Sequence, residues 1–159
     1  MYWGESNIYV AKSENLIDWT PVEVEKTSRN NMEGLLYVAR PRKGRFDSVL
    51  IEPGPPAILS NEGIMLIYNS KNDGASGDKN LPNGTYSAGV MVFDRNDPTA
   101  LVSRTQNYFF APDRPYEITG QVNNVCFLEG LVKFKGEWLL YYGTADSKIA
   151  VASCITAWE

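Results

Sequence analysis

The stretch WLLYYGTADSKIAVAS at residues 138–153 runs from an apolar segment through paired tyrosines to Gly143, a polar turn and a second apolar segment. MYWGESNIYVAKS at 1–13 follows the same plan, and its IYVAKS answers the IAVAS of the later copy. IMLIYNS at 64–70 begins a further copy, in which YSAGVMVFD at 86–94 takes the place of the second run after a longer loop. Short or alternating apolar runs punctuated by Gly, Pro, Asn and Asp read as strands rather than helices. Aligned on Tyr2, Tyr68 and Tyr141, the copies stand 66 and 73 residues apart (68 − 2 and 141 − 68). That length suits a four-stranded blade with generous loops. A second echo, ENLIDWTPV at 14–22 and RNDPTALVSRT at 95–105, reads as the turn and outgoing strand of a blade. The expected fold is all-β, a β-propeller.

At roughly 70 residues per copy, 159 residues supply two to three blades, whereas closed propellers typically have about 4–8. Repeat units bury their faces only against neighbours, and Met1 falls inside a strand-like run. The expectation is therefore that residues 1–159 are the C-terminal part of a single propeller domain whose N-terminal blades are missing.

Composition narrows the chemistry. The chain has no His, which removes His-based acid–base catalysis, Ser-His-Asp triads and most zinc sites. No metal or cofactor is expected. Cys126 and Cys154 lie in apolar runs and read as buried thiols, since two cysteines make no disulfide framework. The net charge of −4 is interspersed, which gives no nucleic-acid face and no anionic-membrane patch. The one basic run, RPRKGR at 40–45, reads as a solvated turn. No run approaches the ~20 apolar residues of a membrane span, and the start has no signal-peptide pattern. A cytoplasmic or a periplasmic bacterial setting, and a homo-oligomer, are all compatible with this.

Proton chemistry must come from carboxylates, and five stand out. Glu5, Asp73 and Asp146 each follow an aromatic–Gly/Asn element, so they would point towards the channel of a propeller. Glu52 sits before Pro-Gly-Pro-Pro and an inner strand. Three prolines fix φ and remove three donors, so the segment cannot be an ordinary central strand. Glu129 follows a fully apolar run, where an unpaired charge is costly. Acids with aromatics nearby suit a polyhydroxylated ligand, because carboxylates accept from hydroxyls and aromatic faces cover pyranose C–H faces. Asp73, in SKNDGASGDKN, reads as a turn former; Glu5 and Asp146 serve equally well as turn caps.

The pieces YWGESNIYVAKSENLIDWTPV, RFDSVLIEPGPPAI, MLIYNS, TYSAGVMVFDRNDPTALVSRT, RPYEITGQVNNVCFLEGLV and YYGTADSKIAVA together resemble glycoside hydrolase family 130. The resemblance implies part of a five-bladed propeller acting on β-mannosides, as a phosphorylase or a hydrolase. It gives Asp146 the role of holding hydroxyls of the mannosyl unit. Phosphorylases of the family carry K-[IV]-G-A-G-P-P and IYHG, whose Lys and His bind phosphate. Here those positions are Leu50 and Asn69, and Glu52 stands where the first Gly would be. A carboxylate beside incoming phosphate repels it, but it can take a proton from water, as an inverting hydrolase requires. The resemblance thus implies a β-1,2-mannosidase with Glu52 as base and Glu5 as its rival. Asp146, Glu129, Tyr86, Asn124 and Asn69 are the expected substrate contacts. The family's general acid, an Asp of the N-terminal half, would be absent, leaving this polypeptide alone inactive or very weak. The alternatives are a β-mannoside phosphorylase of the same family and a non-catalytic, glycan-binding propeller fragment.

Overall fold

Each repeat read from the sequence is an antiparallel sheet in the computed structural model, which describes residues 1–25 and 34–155. The first sheet joins β1 (Tyr2–Trp3), β2 (Ile8–Lys12), β3 (Thr20–Pro21) and β4 (Tyr37–Ala39). The second joins β5 (Leu50–Pro53), β6 (Ile58–Ser60), β7 (Gly63–Lys71), β8 (Tyr86–Phe93) and β9 (Leu101–Arg104). The third joins β10 (Cys126–Phe134), β11 (Glu137–Thr144) and β12 (Lys148–Cys154). One short helix, α1 (Pro115–Ile118), precedes the third sheet. These are successive blades of a β-propeller, and ENLIDWTPV and RNDPTALVSRT supply the outgoing strands β3 and β9 as expected.

Packing explains why the strands lack clean alternation. One core, containing Ile8, Phe46, Ile51, Leu66, Tyr68, Met91 and Phe93, fills the space between the first and second sheets. A second, containing Ile67, Ala88, Cys126, Leu128, Leu140 and Tyr142, lies between the second and third. β7 alternates its side chains between the two, Leu66 and Tyr68 one way and Ile67 the other. A strand buried on both faces reads as a continuous apolar run. Each such aliphatic side chain contributes about 1.5–3 kcal/mol by leaving water.

The register corrects the repeat alignment. Tyr68 and Tyr142 face the preceding sheet, whereas Tyr141 is 42% exposed on the opposite face. Tyr2 stacks on Phe93 of the following sheet at 4.6 Å, so Trp3 is the residue turned the other way. The equivalent set is therefore Trp3, Tyr68 and Tyr142, one position from the alignment on Tyr2 and Tyr141. A slip of one residue exchanges the faces of a strand, and adjacent aromatics hide that slip in the sequence.

A shared device accompanies the corrected alignment. Tyr68 Oη donates to buried Asp47 at 2.8 Å, and Tyr142 Oη donates to buried Glu117 at 2.7 Å. Each acid comes from the segment leading into its own sheet. Burial pushes the Tyr68 hydroxyl up to about 12, so it remains a donor. Asp47 also accepts from Arg42 at 2.8 Å and pairs with Arg104. RPRKGR is thus a solvated turn only in part: Arg42 leaves the run to satisfy a carboxylate enclosed in the core. Cys126 is buried as expected, but Cys154 is exposed at the end of β12; no disulfide joins them.

Candidate active site

Glu52 lies within β5 rather than ahead of the inner strand, which Pro-Gly-Pro-Pro divides into β5 and β6. Both pieces pair with β7 along one side only, where prolines are tolerated. The register sets Glu52 opposite Asn69. Ile51 enters the core towards the first sheet, so Glu52 is turned towards the third. Gly54 follows because a Cβ there would stand 2.8 Å from the Leu128 carbonyl of β10.

Two further carboxylates converge on Glu52 from the neighbouring sheets. Glu5 is in the β1–β2 turn, where Gly4 (φ 110°) and Ser6 (φ 71°) reverse the chain. Glu129 occupies the bulge at which the β10–β11 register shifts between Leu128 and Gly130. Partial burial, then the charges of Glu5 and Glu129, push the Glu52 carboxyl up to about 7. Desolvation also raises Glu129. Among the described residues no Lys or Arg forms an ion pair with Glu52. Lys71, further along the same face of β7, holds its ammonium 5.2 Å from the Tyr86 ring centroid. This is a half-buried carboxylate poised near neutrality, the condition of a general base.

Of the remaining expected contacts, Tyr86, Asn124 and the turn of Asp146 are tied to one another. Tyr86 N–H donates to the Asn124 carbonyl at 2.9 Å, and its ring lies 6.1 Å from Phe127. Asn124 itself takes φ 59°. The turn bearing Asp146 packs on the same segment, through Val122 N–H to the Ala145 carbonyl and Ala145 N–H to the Val125 carbonyl. Ala145 and Asp146 both have positive φ, at 46° and 51°, conformations that cost non-glycine residues on the order of 1–2 kcal/mol each. Backbone bonds hold this turn while the Asp146 side chain is exposed, so its carboxylate is available to a ligand. By the repeat alignment the β1–β2 turn is equivalent to the β11–β12 turn, which puts Glu5 and Asp146 at one end of the sheets.

Asn69, expected at a ligand-facing position, is instead fully buried. Its Nδ2 donates to the Leu128 carbonyl at 2.9 Å and its Oδ1 accepts from Leu128 N–H at 2.8 Å. Asp73 is the turn former expected: the Ser76 hydroxyl, and then the N–H groups of Ala75 and Ser76, donate to its carboxylate and hold it below the usual range.

Glu117 and Asp47 were not singled out from the sequence. Glu117 Oε2 accepts from the N–H groups of Asp113 and Arg114, both at 2.9 Å. Burial raises its pKa, but these bonds and that from Tyr142 outweigh burial and lower it. It thereby folds the segment that carries Asn124. The signal was present as D-R-P-x-E, an acid three residues after the start of a Pro-initiated turn. Asp47 had no such signal, since its partners Arg104 and Tyr68 are 57 and 21 residues away. Among the described residues no three His, Cys, Asp or Glu side chains group closely enough to hold a metal ion.

Comparison with known proteins agrees with this architecture. A family model for glycoside hydrolase family 130, described as beta-1,4-mannooligosaccharide phosphorylase, matches residues 1–157. Curated relatives among the matches are named as mannoside phosphorylases. A Thermoanaerobacter beta-1,2-mannobiose phosphorylase is 31% identical over 112 residues, 70% of this chain and 34% of its own length. A glycosyl hydrolase structure from Bacteroides ovatus is 46% identical with a TM-score of 0.87, covering 96% of this chain and 41% of that one. Another structure comes from work describing, within the family of mannoside phosphorylases, glycoside hydrolases that target β-1,2 mannosidic linkages in Candida mannan. It is 44% identical with a TM-score of 0.88, over 96% of this chain and 41% of its own. The chain spans about a third of the curated relatives it matches. Its three sheets and its sequence from end to end place the chain in glycoside hydrolase family 130.

Proposed function

We propose that this chain forms part of the catalytic propeller of an enzyme that cleaves β-mannosidic bonds with water as acceptor, with Glu52 as the general base. The observation that carries this reading is the environment of Glu52: a half-buried carboxylate raised to about 7 by partial burial and two like charges, with no cation paired to it. Such a group takes a proton from water readily, and it repels an approaching phosphate dianion. Glu5, exposed in its turn, acts as a charge on Glu52 and is the second candidate for the base. Asp146 orients sugar hydroxyls, with Tyr86, Asn124 and Glu129 as further substrate contacts. β-1,2-linked mannose is the substrate that the resemblance favours, together with the structural relative that comes from work on glycoside hydrolases targeting such linkages.

The same proposal places residues 1–159 in a single propeller domain with further blades. Val132, Ile149 and Val151 are exposed on the face of the third sheet away from the second, at 46%, 83% and 52%. The Trp3 indole N–H is buried without a partner among the described residues, at the position where Tyr68 and Tyr142 each meet an acid. Both features suit contact with neighbouring blades.

Phosphorolysis is the second reading, and the names of the curated relatives favour it over hydrolysis. The decisive experiment incubates the full-length protein with β-1,2-mannobiose, with and without phosphate, and follows products by NMR. The hydrolytic reading expects mannose released as the α-anomer at a rate indifferent to phosphate. Mannose 1-phosphate, formed in proportion to added phosphate, would establish the second reading instead.

The pH dependence follows from the same charges. A base must be ionised, so kcat/KM is expected to rise with pH through about 7. Removing a like charge by Glu129→Gln or Glu5→Gln should move that limb to lower pH. Because the folded pKa lies above the ordinary carboxylate value of 4.5, the linked stability is fully present below 4.5 and lost as pH rises through about 7. An initial-rate profile of each variant checks the direction.

A further inference from the structure

We infer that Asn69 is a positioning residue, which sets the separation of Glu52 and Glu129 by clamping β10 to β7. The inference deepens the reading of Glu52 as base and rests on it only for its consequence in catalysis.

Glu52 and Glu129 belong to different sheets, so no strand ladder connects them. Asn69 bridges that gap. It stands directly opposite Glu52 in the β5–β7 register, and its carboxamide closes two hydrogen bonds on the N–H and carbonyl of Leu128. Leu128 is the residue immediately before Glu129, at the edge of the bulge. A bulged residue has no ladder partner of its own, so its placement depends on what holds its neighbours. Here Leu128 is held on one side by Tyr142 in the ladder and on the other by Asn69. Gly54 lets the strands approach closely enough for this, since any Cβ there would stand 2.8 Å from the Leu128 carbonyl.

The clamp is fully enclosed. Asn69 and Leu128 are both 0% exposed, and both bonds lie in the core between the sheets. Bonds so placed resist exchange with water, and losing one leaves a buried polar group unpaired. An asparagine is suited to the task because it both donates and accepts across about 3 Å with a planar group. The titratable groups facing Glu52 are Glu5 from the first sheet and Glu129 from the third, with Lys71 further along β7 turned onto Tyr86. Asn69 touches the strand of Glu129 and has no bond to the turn of Glu5. The clamp should therefore govern one of the two couplings and leave the other intact.

The experiment measures the titration of Glu52 by ¹³C NMR of selectively labelled glutamate in the full-length protein, with Glu52→Gln identifying its resonance. In the wild type, Glu129→Gln and Glu5→Gln should each lower the Glu52 midpoint. In the Asn69→Ala background the effect of Glu129→Gln should fall to less than half its wild-type size, while that of Glu5→Gln should persist. Asn69→Ser, which is uncharged and too short to close both bonds to Leu128, should also reduce the effect of Glu129→Gln and serves where Asn69→Ala does not fold. Equal effects of Glu129→Gln in all backgrounds that fold would overturn the inference, as would equal loss of both couplings. The readout needs no turnover. If the couplings behave as stated but the pH–rate limb does not follow the Glu52 midpoint, the assignment of the base fails while the clamp stands.

Discussion

Glu52→Gln in the full-length protein is expected to lower kcat/KM on a β-mannoside by roughly 10²–10⁴-fold, the contribution of a positioned general base. The amide keeps the size and shape of the side chain, and β5 keeps its pairing with β7, so the fold should be retained. It also removes the negative charge that Glu5 and Glu129 oppose, so the variant should be no less stable than the wild type near pH 8. That combination separates a catalytic role from a structural one. Steady-state rates together with a thermal unfolding curve provide the check. Loss of activity accompanied by loss of stability would count against the base assignment. An unchanged rate would transfer the role to Glu5, for which Glu5→Gln is the matching test. Azide offers a further arm: a small anionic nucleophile that restores turnover to Glu52→Gln without restoring it to Asp146→Asn would support deprotonation of water at position 52.

Asp47→Ala should be strongly destabilising, at about 3–5 kcal/mol, the cost of leaving a buried pair without one member. Asp47 is 0% exposed and receives Arg42, Arg104 and the Tyr68 hydroxyl. Its removal leaves the Arg104 side chain, 8% exposed, without a counter-charge. Tyr68→Phe deletes two bonds to charged groups, one donated to Asp47 at 2.8 Å and one accepted from Arg104 Nε at 3.1 Å, and keeps the ring; a loss of at least about 1.5–3 kcal/mol is expected. Gly89 makes the arrangement possible, since a Cβ there would meet Tyr68 Oη at 2.5 Å. Urea unfolding of the full-length variants measures both values, and a Tyr68→Phe cost as large as that of Asp47→Ala would show that the guanidinium contacts to Asp47 contribute little.

Asp47 also marks where sequence reading stopped. RFDS announces neither burial nor partners, because the ligands of the carboxylate arrive from positions 42, 68 and 104. Local chemistry was legible where its partners are local: Asp73 holds its own turn. Tyr141 was misplaced against Tyr142 because period-2 alternation needs a known burial face before it can be phased. The spacing of the copies and the carboxylates near the turns required no such knowledge.

Asn69 makes the same distinction inside the site. Its place in the sequence set it beside a ligand; its bonds to Leu128 make it a tie between blades. The sequence by itself determined the all-β repeat, the absence of histidine chemistry and five candidate acids, Glu52, Glu5 and Glu129 among them. Those rest on residue type and short-range periodicity, which the chain carries locally. Only the tertiary structure decided that these three acids act on one another, that Glu52 is raised to about 7, and that Asp47 and Glu117 are internal anchors. Charge coupling and desolvation depend on what packs alongside, and the neighbours here come from different sheets.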